Sequence, residues 1–342
     1  IKIFLEDKTL FDPTFAGFST FIIYFGNTFA NYLRDANEKK QIRGAFSQYL
    51  SPALVEQLAD DPEKLVLGGE TKKMTFLFCD VRGFTTISES FKADPQGLTR
   101  LINRFLTPLT NEIINENGTI DKYMGDCIMA FWNAPIDVEG HEKMACDATL
   151  KMHKAMTELN KIREDEAKAE NKKFLELKIG IGLNTGGCVV GNMGSDQRFD
   201  YSVLGDSVNL ASRLEGQSKS YGVKTVIGPE TNASVKDSYA TLQLDMIAVK
   251  GKKEAVTIFT LVGDSNFKDS SEFKNLEKSH IKILEFYFSQ KWQECLIEIE
   301  TAKILCNNLM SEYYEIMSER INEFKKSPPP NNWDGVYVAT SK

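Results

Sequence analysis

Residues 74–85, MTFLFCDVRGFT, contain the pattern that decides the fold class of this chain. Their apolar and β-forming residues predict a buried strand that ends at the carboxylate of Asp80 and continues into a loop. Residues 119–132, TIDKYMGDCIMAFW, predict two more strands joined by a turn at Gly125. Because a hairpin pairs its strands antiparallel, we do not expect a wholly parallel sheet.

Helical patterns alternate with these strands. Residues 95–116 carry apolar side chains on one helical face, and Gly118 follows as a terminator. Residues 140–168 and 206–216 are also helical in pattern. Further strands are predicted at residues 174–183, 187–190, 223–227, 242–250 and 256–261. Helices interleaved with hairpins predict an α+β fold rather than a parallel α/β sheet.

Residues 180–186, GIGLNTG, have the glycine spacing of a dinucleotide-binding loop. That loop normally leads into a helix, whereas residues 187–190 predict a strand. We therefore expect a β-turn at this position and no dinucleotide site.

The composition restricts the class of protein. A length of 342 residues suits about two domains at roughly 150 residues each. The 42% hydrophobic and 26% charged residues exclude a disordered chain, a collagen and a multi-span membrane protein. A net charge of -7 argues against nucleic-acid binding, which depends on neutralising phosphates. Any phosphate chemistry must therefore be local, built from a few basic side chains and metals.

The numbers and spacing of cysteines and histidines indicate the redox state of the compartment and the class of metal site. The six cysteines include no CxxC pair, which favours a reducing compartment over a disulfide framework. The three histidines are too few for a histidine-rich metal site, so an oxygen-ligated ion is the metal class left open. Because residue 1 is Ile, we expect this chain to be part of a longer protein.

Residues 13–33, PTFAGFSTFIIYFGNTFANYL, carry no charge and are long enough to cross a bilayer core. Basic residues follow at once: Arg34, Lys39, Lys40 and Arg43. We therefore expect a transmembrane helix within residues 1–33, a helical transducer at residues 34–66 and a cytoplasmic location for everything downstream. The alternative is an aromatic helix that packs on a partner helix in an entirely cytoplasmic protein.

Residues 264–342 are interpreted as a helical C-terminal extension with a proline-rich tail. Residues 271–326 are charged and helical, and they resemble one helical-hairpin repeat of the tetratricopeptide type, a unit that needs neighbours to bury its face. Three prolines at 328–330 end the helical pattern, and residues 331–342 predict a short extended tail. A protein-binding platform is a second interpretation of these helices.

Four separated segments carry a family resemblance: FCDVRGFT at 78–85, DKYMGD at 121–126, YSVLGDSVNLASRLE at 201–215 and VKGK at 249–252. Together they resemble the catalytic domain of class III nucleotidyl cyclases, which comprise adenylyl and guanylyl cyclases. The resemblance covers residues 67–263 and implies a ferredoxin-like α+β domain. The flanking segments are similar to those of bacterial membrane-anchored cyclases, which implies a membrane anchor and an upstream sensor.

The resemblance assigns a metal and phosphate site. Asp80 and Asp126 match the two metal-binding aspartates, and the backbone carbonyl of Val81 would complete one metal shell. Two Mg²⁺ or Mn²⁺ ions per site are implied, one lowering the pKa of the ribose 3′-hydroxyl and one holding the triphosphate. Backbone N–H groups of the following loop would bind phosphate oxygens: Gly83, Phe84 and Thr85.

The same resemblance assigns transition-state and phosphate contacts. Asn209 would orient the ribose, and Arg213 would stabilise negative charge on the α-phosphate. Lys250 would contact the terminal phosphates, and Arg198 is a further candidate for phosphate binding. From the residues alone, Asn209 and Arg213 also fit a solvated helix face, and Lys250 also fits an ordinary turn.

Base choice depends on Lys122 and Ser202. Lys122 matches the lysine that selects adenine, where guanylyl cyclases carry glutamate. Ser202 lies at the position whose side chain accepts a hydrogen bond from the adenine 6-amino group in this family. A lysine at position 122 would donate a hydrogen bond to the ring nitrogen that adenine offers as an acceptor.

The resemblance therefore implies an adenylate cyclase that converts ATP to 3′,5′-cyclic AMP and pyrophosphate. Metal residues and base-plus-transition-state residues come from different subunits in this family, so a homodimer would hold two composite sites. A guanylyl or dual-specificity cyclase is the first alternative. An inactive nucleotide-binding signalling module is the second, and its mark would be the loss of an aspartate, Asn209 or Arg213.

Overall fold

The computed structural model describes residues 13–46, 68–195, 197–248, 255–330, 333 and 335–337. They belong to two compact units that divide between Val66 and Leu67. The first unit contributes one described helix, α1 (Pro13–Phe46), whose aromatic side chains from Phe15 to Tyr32 are exposed. Of the helices in the described ranges, none combines the length and the apolar character that a bilayer span requires. The membrane span predicted at residues 13–33 is therefore not confirmed.

A mixed sheet forms the centre of the second unit. Its strands are β1 (Gly68–Val81), β2 (Thr119–Met124), β3 (Cys127–Trp132), β4 (Ile179–Ser195), β5 (Arg198–Leu204), β6 (Thr225–Ile227), β7 (Ala240–Ala248), β8 (Ala255–Gly263) and β9 (Val336–Tyr337). The strand order is β2-β3-β1-β4-β6-β8-β7-β9, and β5 pairs with the end of β4. Pairing is antiparallel except between β4 and β6 and between β7 and β9. The predicted α+β class and the hairpin at Gly125 are confirmed.

Helices cover both faces of this sheet. They are α2 (Phe84–Ser90), α3 (Pro95–Asn115), α4 (His141–Ala169), α5 (Asp206–Ser220), α6 (Pro229–Val235), α7 (Ser265–Asp269), α8 (Ser271–Phe288), α9 (Trp292–Leu305) and α10 (Ser311–Lys326). Local sequence sets several of their starts. Asp94 caps α3 by accepting a hydrogen bond from the Gly97 N–H at 2.8 Å, with Pro95 in the first turn.

Strand β1 is buried on both faces, which fixes the direction of its final carboxylate. Leu77 and Cys79 pack with α3 and α4 in one apolar cluster. Phe76 and Phe78 pack in a second cluster that includes residues of α5. Because side chains alternate along a strand, Asp80 continues the second set, on the face that α5 covers.

The prediction for residues 174–190 is wrong in two respects. A single strand, β4, runs from Ile179 to Ser195, and the glycines of GIGLNTG lie inside it rather than in a turn. They allow a helix to approach closely, because a Cβ on Gly182 would lie 2.2 Å from the backbone nitrogen of Glu215 in α5. Strand β5 was not predicted from the sequence at all.

The C-terminal helices do not form an isolated hairpin repeat. Three helices, α8 to α10, pack on strands β7 and β8 and share one apolar core with them, including Phe273, Tyr313, Leu242 and Ile258. A buried ion pair adds to this contact: Arg320 of α10 lies 2.5 Å from Asp245 of β7. The neighbours that a helical repeat needs are thus supplied by the sheet.

Candidate active site

Two aspartates meet where β1 ends and β3 begins. Asp80 is the penultimate residue of β1, and Asp126 follows Gly125, whose φ of 68° is a left-handed conformation that favours glycine. The pairing of Cys79 with Ile128 brings these two chain positions side by side. Burial, followed by hydrogen bonding and like charge from Asp80, raises the pKa of Asp126 to about 6. The structure therefore brings together the two side chains that the sequence analysis paired.

The aspartate pair fits a divalent cation. Mg²⁺ takes oxygen ligands and commonly uses one or two protein carboxylates together with substrate phosphates. Over the described ranges, no three His, Cys, Asp or Glu side chains cluster closely enough to hold a metal by themselves. The charge of Asp80 and Asp126 is therefore compensated best when a cation and a phosphate chain complete the site.

Glu215 is an acidic neighbour that the sequence analysis missed. Burial, followed by the charge of Asp80, raises the pKa of Glu215 to about 7, while Arg82 opposes that shift. Glu215 lies two residues after Arg213 on α5, a position that resembles an exposed helix residue in the sequence. Only the close packing of α5 on the glycines of β4 brings it toward the aspartates.

The loop after β1 leads directly into a helix. Gly83 has a φ of 70° and precedes α2, which begins at Phe84 and includes Thr85. The loop is anchored by Arg82, whose Nη2 donates to the backbone carbonyls of Ser218, at 3.1 Å, and Val223. Gly83, Phe84 and Thr85 follow Asp80 by three to five positions in the chain, and their contact with phosphate stays a prediction.

Asp121 contacts both residues that are predicted to select the base, Ser202 and Lys122. Ser202 Oγ donates a hydrogen bond to Oδ2 of Asp121 at 2.8 Å, and Lys122 Nζ lies 3.3 Å from Oδ1 of the same carboxylate. The side chain of Asp121 is fully buried. Asp121 was missed, although it directly precedes Lys122 in the sequence.

The remaining predicted residues have different outcomes. Asn209 and Arg213 lie one turn apart on α5 and are both exposed. Within the described ranges, neither side chain forms a hydrogen bond or ion pair. Lys250 and the side chain of Arg198 lie outside the described residues, and Val81 is buried at the end of β1.

Residues 68–263, more than half of the chain, match the model of the adenylate and guanylate cyclase catalytic domain. The chain belongs to this family. The match extends from the first residue of β1 to the last residue of β8. It therefore covers both aspartates, the two residues predicted to select the base (Lys122 and Ser202) and α5. We call this region the cyclase domain.

Named relatives agree with this assignment. The chain is 33% identical over 229 residues to an adenylate cyclase of Anabaena cylindrica, covering 65% of this chain and 44% of that one. It is 30% identical over 192 residues to adenylate cyclase 1 of Rhizobium meliloti, covering 56% and 28%. The chain therefore spans less than half the length of these curated relatives.

Solved structures of an adenylyl cyclase and of a guanylyl cyclase both resemble the cyclase domain. The adenylyl cyclase CyaB from P. aeruginosa aligns with a TM-score of 0.50 at 36% identity, covering 58% of this chain and 97% of that one. The guanylyl cyclase Cya2 aligns with a TM-score of 0.50 at 30% identity, covering 58% and 95%. The fold alone does not separate ATP from GTP as substrate, so base choice depends on the site residues.

Proposed function

We propose that the cyclase domain converts ATP to 3′,5′-cyclic AMP and pyrophosphate. The observation that carries the choice of ATP is the pair of Lys122 and Ser202 held around one buried carboxylate. A lysine donor and a hydroxyl acceptor complement adenine, which offers an acceptor at N1 and a donor at its 6-amino group. The names of the two curated relatives support the same substrate.

The side chains divide the chemistry between them. Asp80 and Asp126 would hold divalent ions, which would neutralise charge on the triphosphate and lower the pKa of the 3′-hydroxyl. Asn209 orients the ribose. Arg213 contacts the α-phosphate, where its fixed positive charge stabilises the negative charge that develops as pyrophosphate departs. The phosphate chain lies against Gly83, Phe84 and Thr85 at the start of α2, and Lys250 binds its far end.

A homodimer with two shared sites is part of the proposal. Asn209 and Arg213 are exposed and bind no other described side chain, as expected of residues that act on a substrate held by another subunit. Chains carrying Asp80→Ala and chains carrying Arg213→Ala are each expected to be inactive. Their heterodimer would keep one intact site, so mixing should restore up to half of the parent activity per mixed dimer. Heterodimers that form without any recovery would contradict shared sites.

For location, we propose the cytoplasmic side of the membrane, with the segment before the cyclase domain transmitting a signal from an upstream sensor. All six cysteines are unpaired, which suits a reducing compartment. Fractionation of cells that express the full-length protein, with protease protection of the cyclase domain, tests this location.

Product analysis tests the activity. The chain is incubated with Mn²⁺ and either ATP or GTP, and products are identified by mass spectrometry. The proposal predicts cyclic AMP and pyrophosphate in equal amounts, with a lower kcat/KM for GTP. A preference for GTP would identify a guanylyl cyclase, and no product from either nucleotide at any protein concentration would identify an inactive module.

A further inference from the structure

Asp121 differs from every other acid near the active site. Its side chain is fully buried, yet it lies between Lys122 and Ser202, the two residues proposed to select the base. Lys122 Nζ lies 3.3 Å from Oδ1, so the carboxylate is held between an ammonium group and a hydroxyl donor. Burying a carboxylate costs stability even when it is paired. Its place between the two residues predicted to select the base points to a functional reason for that cost.

The hydrogen bond from Ser202 fixes the polarity of its hydroxyl. A hydroxyl has one proton to donate and two lone pairs that accept, whereas an ionised carboxylate only accepts. Burial raises the pKa of Asp121, but the Ser202 hydrogen bond and the Lys122 charge oppose that shift and favour the ionised form. At an Oγ–Oδ2 distance of 2.8 Å the proton of Ser202 is committed to Asp121. The Ser202 oxygen can therefore accept a hydrogen bond from a ligand but cannot donate one.

We propose that Asp121 is a positioning residue that sets base specificity by holding Ser202 as an obligate hydrogen-bond acceptor. An acceptor at this position pairs with the 6-amino group of adenine and opposes the 6-oxo group of guanine or hypoxanthine. Without Asp121, the hydroxyl of Ser202 could rotate and donate to a 6-oxo group. This inference rests on the proposed ATP-cyclising function.

The experiment uses three nucleotides that separate the contacts. ATP has a 6-amino group, inosine triphosphate has a 6-oxo group and a protonated N1, and purine riboside triphosphate keeps the N1 acceptor but has no substituent at position 6. Values of kcat/KM with Mn²⁺ are measured for the parent, for Asp121→Leu and for Ser202→Ala. Asp200→Leu is the matched control, because Asp200 is exposed and its charge also acts on Asp121 without a hydrogen bond to Ser202.

Asp121→Leu removes both acceptor oxygens at nearly the same size, and it is expected to lower the ATP-to-inosine ratio of kcat/KM about tenfold, equivalent to ~1.4 kcal/mol of transition-state binding. The kcat/KM for purine riboside triphosphate should change less than about twofold, because that nucleotide makes no contact through position 6. A merely structural role would lower all three values together. Asp200→Leu should keep the parent ratios.

Two results would overturn the inference. One is an Asp121→Leu protein, folded as judged by its melting temperature, that keeps the parent ATP-to-inosine ratio. The other is a parent ratio that survives Ser202→Ala, which needs no Asp121 variant to fold. A parent that cyclises no ATP refutes the proposed function itself, and the inference with it, and so differs from a parent that cyclises ATP with an unchanged ratio.

Discussion

Two acidic sites in this chain are built in opposite ways. Asp245 is 1% exposed and is paired within the protein, since Arg320 lies 2.5 Å away and Tyr221 donates a hydrogen bond at 2.7 Å. Asp126 is partly exposed, and its nearest charged partner is another carboxylate, Asp80. The first arrangement fastens α10 to β7. The second leaves negative charge that the protein itself does not neutralise.

The difference separates an acid that stabilises the fold from two acids that we propose bind a cation. A buried carboxylate paired with arginine gains its partner on folding, and the loss of that partner strands a charge in the interior. A pair of like charges weakens the apo fold slightly and gains when a cation binds. Substitutions at the two sites should therefore affect activity and stability in opposite proportions.

The largest expected effect is on turnover. Asp80→Asn or Asp126→Asn removes one cation ligand while keeping the size of the side chain, so ATP cyclisation should fall at least about 1,000-fold, or ~4 kcal/mol of barrier. The melting temperature of the metal-free protein should not fall, because each change relieves repulsion. Residual activity above a few per cent in either variant would refute the metal assignment.

Arg320→Met should have the opposite profile. It leaves Asp245 buried without its cation, which typically costs about 3–5 kcal/mol of unfolding free energy. Urea denaturation measures that loss, and the double variant Asp245→Asn with Arg320→Met should recover part of it. Turnover per folded molecule should stay within about twofold of the parent. A stable Arg320→Met protein would show that the ion pair does not fasten α10 to the sheet.

A smaller effect is expected in the pH dependence of stability. The pKa of Asp126 is raised to about 6 in the folded protein, above its ordinary value near 4. Ionised Asp126 therefore destabilises the metal-free fold; the penalty is absent below about pH 4, grows through pH 6 and is complete above it. Asp126→Asn should melt a few degrees above the parent at pH 8 and match it at pH 4. Parallel melting curves across this range would contradict the repulsion.

The sequence allowed the fold class and the aspartate pair to be predicted, because strand ends and turns are local features. The close approach of α5 was not predictable in the same way. Gly180 and Gly182 have the same spacing in a turn, a nucleotide loop or a strand beneath a helix, and only the packed helix distinguishes them. Glu215 was missed for the same reason, since that packing brings it to the aspartates.

Asp121 was missed for a different reason. Its partner Ser202 lies 81 positions away on a strand, β5, that has no strong sequence pattern. The C-terminal helices were recognised as helices, but their role depends on a long-range ion pair and on a core shared with β7 and β8. Neither feature has a signal that a single sequence reveals.

Metal-dependent stabilisation tests the central claim most directly. The melting temperature is measured at pH 7.5 with an ATP analogue that carries a methylene group between the α- and β-phosphorus atoms, with and without Mn²⁺. We predict that Mn²⁺ stabilises the parent and Asp200→Asn by several degrees and leaves Asp126→Asn unchanged. Equal stabilisation of the parent and Asp126→Asn would contradict the claim that the uncompensated aspartate pair is the metal site.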